Sequence, residues 1–285
     1  MCKFFFSYNL KKSKKLLKEF LLHGNAEHLE YGYGIGWQRD QRQGQRDEQR
    51  STWETYKCNC FHMTDPKSQK ILDEIDSNVI VSHIRNIYHE NMTPKQIADE
   101  LNPHNVHPFT YGGAIFMHHG DLFMDYNNEL NVYQLNREAS KFKHAISSVM
   151  KIVLPKFKKL MWKTDSELMF YLLLSIQQSL IDSNKSTYET SLVQSFYILN
   201  NVMADAGISN SSNIFFSTGH YIAVAKIYKN NSKHEMKSPK FFYSSDRHGG
   251  ILFSNVKLAP KVHEVEQNTL YIINTKTNNM CVYRL

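Results

Sequence analysis

The residues best suited to chemistry fall in one stretch, 82–120, and its immediate continuation. Ser82, His83, Ile84 and Arg85 come first. Asn105, Val106, His107, Pro108 and Phe109 follow, and then Phe116, Met117, His118, His119, Gly120 and Asp121. Each group sets hydrogen-bonding side chains among apolar neighbours, where a strand or turn presents them to a pocket. Together they supply a guanidinium, several imidazoles, an amide, and a glycine that lets backbone approach a ligand. The stretch gains its meaning beside Cys2, which becomes the first residue once the initiator Met1 is removed. A terminal cysteine holds nucleophile and base in one residue. Its thiol attacks, and its α-amine, ordinarily of pKa about 8, takes the proton directly or through a water. Attack on an amide creates a tetrahedral oxyanion, and losing one donor aimed at it costs ~10²–10³ in rate. The Gly120 N–H and the side chain of His119 are the candidate donors. Arg85 suits a substrate carboxylate and Asp165 a substrate ammonium. The set therefore points to hydrolysis of an amide on a γ-glutamyl group.

Elements must position these residues. Cys2 to Tyr8 is apolar and aromatic, which predicts a buried strand at the very start. Residues 11–22 form an amphipathic helical pattern whose lysines read as a solvated face. Gly32, Gly34 and Gly36 alternate with Tyr33, Ile35 and Trp37, which predicts a strand pressed against another backbone. Residues 38–52 are a polar low-complexity run, expected to be an exposed insertion. Residues 67–76 read as a helix and 78–85 as a strand. Thr93 and Pro94 mark a helix start. Residues 137–161 read as helical with a break near Pro155. Thr164, Asp165, Ser166 and Glu167 open an apolar helix to about Leu180, with Thr164 and Glu167 as a capping box. A further helix over 186–205 is closed by Gly207. Strands are expected at 213–217, 221–228, 240–244, 268–273 and 279–284. Strands, then helices, then strands, without strict alternation, argue for a layered α+β domain rather than a doubly wound parallel sheet.

Composition narrows the classes. The 285 residues are enough for a substantial core, with 41% hydrophobic and 21% charged residues, so disordered and fibrous classes are excluded. The formal net charge of +7 is spread along helical faces, and no nucleic-acid module is recognisable, which ranks nucleic acid last among partners. No apolar run reaches the ~18 residues of a membrane span, so no membrane partner is expected. The four cysteines, Cys2, Cys58, Cys60 and Cys281, make no disulfide framework, and a reduced cytoplasmic location fits them. Cys58, Cys60 and His62 could share one face of a strand. A structural zinc site, however, takes four ligands and usually a two-residue cysteine gap. A hydrolase with a metal held by His104, His107, His118, His119 and Asp121 leaves Cys2, Arg85 and Asp165 unused. It ranks third, and neither metal nor cofactor is expected.

Cys2, the Gly32–Trp37 run, His83–Arg85, Asn105–Phe109, Phe116–Gly120 and Thr164–Glu167 occur in the order found in a known family. In these motifs the chain resembles the class-II glutamine amidotransferases, N-terminal-nucleophile hydrolases with a cysteine nucleophile. It is most similar to their single-domain branch, which includes the glutathione-degrading subunit of fungi and the ergothioneine-pathway amidohydrolase. The resemblance implies one domain over residues 2–285, folded as a four-layer αββα sandwich of two antiparallel sheets flanked by helices. It implies Cys2 as nucleophile, Arg85 and Asp165 as ligands of the glutamyl carboxylate and amine, Gly120 in the oxyanion hole, and His107 shaping the pocket. The implied partners are a small-molecule substrate, glutamine or a γ-glutamyl compound, and a possible separate acceptor subunit. Three departures stand out, the third smaller. His119 replaces the family's usual asparagine before the glycine, bringing a bulkier, pH-sensitive donor. Tyr31 stands where an acidic residue is usual, and Tyr88 replaces a small hydroxyl residue. A catalytically impaired member with a binding or partner-subunit role is therefore the alternative.

Overall fold

The computed structural model describes residues 2–26, 31–38, 53–60, 64–86, 93–123, 145, 147–158, 164–183, 187–231 and 238–285. The polar run beyond Gln38, His62 and Tyr88 lie outside the described residues. The chain begins with β1 (Lys3–Tyr8), α1 (Ser13–Ala26), β2 (Tyr33–Gln38), β3 (Trp53–Cys58), α2 (Pro66–Glu74) and β4 (Val79–Ile84). It continues with α3 (Pro94–Glu100), β5 (Phe109–Tyr111), β6 (Ala114–Phe123), α4 (Pro155–Lys158), α5 (Asp165–Asp182) and α6 (Tyr188–Asp205). It ends with β7 (Ser209–Thr218), β8 (Tyr221–Lys229), β9 (Phe242–Ser245), β10 (Ile251–Ser254), β11 (His263–Glu264), β12 (Thr269–Asn274) and β13 (Asn279–Arg284).

The strands make two antiparallel sheets. One is seven-stranded in the order β11-β9-β10-β1-β4-β2-β3, and the other six-stranded in the order β13-β12-β8-β7-β6-β5. The phenylalanine run of β1 explains the layering. Successive strand residues point to opposite faces, so a run that is apolar throughout needs cover on both sides. Phe4 and Phe6 face the second sheet, and Phe6 meets Phe215 of β7 at 4.9 Å. Phe5 faces the other way and meets Phe20 of α1 at 5.4 Å. On the far side, α5 and α6 cover the second sheet, with Phe170 stacked on Phe116 at 5.5 Å. The result is helices, sheet, sheet, helices.

Helix ends follow local chemistry. Thr164 caps α5 by accepting the Glu167 amide at 3.1 Å, and Thr187 does the same for α6 through Thr190 at 3.2 Å. Gly207 closes α6 at φ 73, with the Ile208 amide reaching back to Met203 O at 2.8 Å. The lysines of α1 are solvated, and Lys18 pairs with Asp73 at 2.8 Å on the surface. The expected long helix over 137–161 is shorter in its described part: 145 and 147–150 are helical, and α4 restarts at Pro155. β10 and β11 are not anticipated by the sequence pattern. β10 is four residues long, three of them apolar, after Gly249 and Gly250, which is too short for its period to declare a strand.

One cysteine expectation needs correcting. Cys58 and Cys60 form a disulfide at the end of β3, two residues apart. The reduced-compartment reading drawn from unpaired cysteines loses its basis. In the disulfide state neither sulfur offers a thiolate to zinc. Among the described residues no helix is long and apolar enough to cross a membrane.

Candidate active site

Alternation along the strands decides what faces the gap between the sheets. Phe4 on β1, Val79 and Val81 on β4, and Ile115 and Met117 on β6 point into it. Two-residue steps then place Cys2, His83, Arg85, His119 and Asp121 on the same inner faces. Lys3 stands opposite Ile84, so one further step sets Cys2 opposite Arg85. The Cys2 Sγ accepts from the Asn86 amide at 3.2 Å and lies 3.5 Å from the Asn86 carbonyl oxygen. Burial pushes the thiol above its ordinary pKa, opposed first by the Asn86 contact and then by the Arg85 charge. Arg85 is buried, and its own amide donates to Gly32 O at 2.8 Å. The two residues are far apart in sequence and are joined only by the pairing of β1 with β4.

The two adjacent histidines divide into a strut and a donor. His118 points to the helix side, where Nδ1 meets Ser166 Oγ and Nε2 meets Ser212 Oγ, both at 2.8 Å. Ser212 gives its own hydrogen to Asn210 Oδ1, so it accepts from His118 Nε2–H. Both ring nitrogens are thus committed to tying β6 to α5 and β7. His119 faces the gap. Its Nδ1 lies 3.1 Å from Asn213 Nδ2, which also donates to Lys240 O at 3.2 Å and so presents hydrogens on that side. Nδ1 must then accept, and the ring hydrogen sits on Nε2, pointing toward the Cys2 end. Burial, aided by His118, lowers the His119 pKa to about 3. The expectation of a pH-sensitive donor is therefore corrected: the imidazole is neutral throughout the working range. The shape of the kcat–pH profile between about pH 5 and 8 should be the same for wild type and His119→Asn, with only the amplitude differing. A His119-dependent inflection near 6.5 would show that the imidazole titrates.

Gly120 adopts φ +150, and a Cβ there would lie 2.0 Å from Ser211 O of β7. Its lack of a side chain is thus needed for the β6–β7 approach itself. The direction of its N–H follows from Leu122, two residues on, whose amide turns away from β7 and donates to Asp165 Oδ2 at 3.3 Å. Amides two apart point to the same side of a strand, so the Gly120 N–H also faces the edge that β5 leaves uncovered beyond Phe116. The other oxygen of Asp165 accepts the Ser166 amide at 2.8 Å, in the first turn of α5. Oδ1 also lies 3.3 Å from Ser166 Oγ; these bonds hold the carboxylate beside β6, and Oδ2 keeps a further lone pair for a cation. Asp121 is open to solvent but crowded, and the surrounding protein, then Asp165, push its carboxyl up to about 6.

His107 packs between His83 at 4.3 Å and Phe109 at 4.4 Å, and neither of its ring nitrogens has a hydrogen-bond partner among the described residues. Burial, followed by the neighbouring imidazoles, holds His83 and His107 well below the ordinary histidine pKa. The main chain of this segment lies on Gly34, where a Cβ would come within 1.9 Å of His107 O. That is the close backbone contact the glycine run predicts. The five groups of the metal reading do not converge: His104 is exposed, and the one set of close potential ligands among the described residues is Cys58, Cys60 and Asp65. Asn86, Asn213 and Asn255 were not singled out by the sequence. Lone asparagines outside a motif carry no signal until the sheets bring them to Cys2 and His119.

No protein-family model matches the chain, and no curated protein matches it by sequence. Solved structures do match. A glutamine aminotransferase class-II domain protein from Silicibacter pomeroyi aligns over 99% of both chains at 15% identity, with a TM-score of 0.58. The glutamine phosphoribosylpyrophosphate amidotransferase of B. subtilis aligns over 99% of this chain and 49% of its own, at 13% identity and a TM-score of 0.54. An allosteric regulatory enzyme of purine biosynthesis gives 12% identity over 99% of this chain and 49% of its own, with a TM-score of 0.58. The chain spans about half the length of these last two. At such identities the likeness shows the fold alone: two antiparallel sheets with flanking helices, shared with these three structures.

Proposed function

We propose that this chain is a cysteine-dependent amidohydrolase acting on glutamine or a γ-glutamyl amide or peptide, with residues 2–285 as one class-II amidotransferase domain. One observation supports it most: Cys2 lies opposite Arg85 at the end of the sheet gap, with the donors at His119 and Gly120 on the facing strand. The fold likeness to class-II domains agrees with this chemistry.

Removal of Met1 frees the Cys2 amine, which takes the thiol proton. The sulfur attacks the γ-carbonyl, and the carbonyl π pair moves to oxygen, where His119 Nε2–H and Gly120 N–H hold the charge. The pair returns as the C–N bond breaks, and ammonia or an amine leaves with the proton. Water then cleaves the thioester by the same route, releasing a glutamyl carboxylate and the thiol. Arg85 binds the substrate α-carboxylate and Asp165 its ammonium, with His107 as a neutral wall. The acceptor is water, which completes hydrolysis, or ammonia passes to an acceptor site outside these residues, such as a separate subunit. The impaired-member alternative rests on His119, and the donor tautomer described above weighs against it.

The test is the intact mass of the purified protein before and after exposure to an electrophilic glutamine analogue. Loss of Met1 and one adduct mapping to Cys2 are expected. A retained Met1, or a processed chain that takes no adduct, would shift the weight to a binding role. Arg85→Ala should raise KM for a γ-glutamyl substrate about 10²-fold, with a smaller change in kcat, through loss of a charge-assisted contact. An unchanged KM would remove Arg85 from the substrate site.

A further inference from the structure

Asn255 follows β10 directly and closes on the residue that bears the nucleophile. Its Oδ1 accepts the Phe4 amide at 2.7 Å, and its Nδ2 donates to the Cys2 carbonyl at 3.0 Å. These two backbone contacts fix the amide's orientation, because a flipped side chain would face donor with donor and acceptor with acceptor. The same Nδ2 lies 3.5 Å from His119 Nε2. The imidazole is neutral and its Nδ1 is taken by the Asn213 amide, so Nε2 also carries a hydrogen. Two N–H donors therefore face each other beside Cys2, and neither can satisfy the other. An acceptor oxygen within reach of both resolves the contact, and an anionic oxygen does so best.

We propose that Asn255 is a further oxyanion donor: it anchors Cys2 and offers its second amide hydrogen, beside His119 Nε2–H, to the oxygen that becomes charged when Cys2 attacks. The role rests on the amidohydrolase reading. It places a carboxamide from the end of β10 in the site whose usual carboxamide is replaced by an imidazole at position 119. As the S–C bond forms and the carbonyl pair moves to oxygen, Asn255 and His119 share the charge. They release it when the pair returns and the amine departs.

The test uses the full, processed chain with γ-glutamyl-p-nitroanilide as substrate and iodoacetamide as a thiol probe that forms no oxyanion. Asn255→Ala should lower kcat about 10²-fold with KM changed less than about threefold. Asn255→Asp keeps the Phe4 acceptor but sets a carboxylate beside the developing charge, and should lose more. The rate of Cys2 alkylation should stay within about twofold for both variants. A kcat near wild type overturns the proposal. So does a fall in kcat matched by equal falls in alkylation rate and melting temperature, which would mark Asn255 as a structural clip alone. If wild type itself neither hydrolyses the probe nor takes a Cys2 adduct, the amidohydrolase reading fails and this role with it. If wild type is active and the Asn255 variants equal it, only the role of Asn255 fails.

Discussion

Cys2→Ala is expected to abolish γ-glutamyl hydrolysis, lowering kcat by about 10⁴-fold or more, while the protein stays folded. The proposed intermediate is a thioester, and among the described residues the other free cysteine, Cys281, lies on β13 of the second sheet, so no other thiol stands at this end of β1. The structural cost is small. Cys2 is only partly buried, and its side chain contacts the Asn86 backbone rather than the packed core. The melting temperature should shift by no more than about 3 °C, within the range of an ordinary substitution at the edge of a core. The adduct with an electrophilic glutamine analogue should vanish with the turnover. Residual activity near wild type would sink the mechanism and leave Arg85, Asp165 and His119 without a shared purpose.

Gly120→Ala should damage both fold and site. The added Cβ would meet Ser211 O at 2.0 Å, and that atom is backbone of a paired strand rather than the free end of a side chain. The φ of +150 is itself strained for any L side chain. Overpacking and strain together should cost about 3–5 kcal/mol, visible as a fall in melting temperature of about 10 °C. Because the same β6 backbone carries His119 and the Gly120 amide, kcat should fall as well. Gly112→Ala is the control. It shares a positive φ of +56 but has nothing within 4 Å of the new Cβ, so it should cost only about 1 kcal/mol and leave kcat unchanged. Equal behaviour of the two variants would mean that β6 and β7 do not depend on the close approach at Gly120.

Parts of the fold and site that depend on local rules were legible. The Phe4–Phe6 run announced a strand covered on both faces, and burial of all three residues agrees. Thr164 and Glu167 announced a helix start, because a cap is satisfied by residues three apart. The alternating glycines announced a close backbone, which proved to be that of His107 on Gly34. The disulfide between Cys58 and Cys60 was missed, since the usual framework reading looks for distant pairs. β10 was missed because four residues show no period, and with it Asn255, which lies 253 residues from Cys2.

By itself, then, the sequence determined the layered α+β class, the helix caps, and the residue types that could hold a glutamyl group, because these follow from spacing and side-chain chemistry within a few residues. Only the tertiary structure decided how those groups are placed relative to one another. Strand register set Cys2 against Arg85, and the direction of each side chain made His118 a strut and His119 a donor. Burial took His119 out of the titrating range, and Asn213 placed its hydrogen on Nε2. Those outcomes depend on distances between strands remote in sequence and on exclusion of water, which no local pattern encodes.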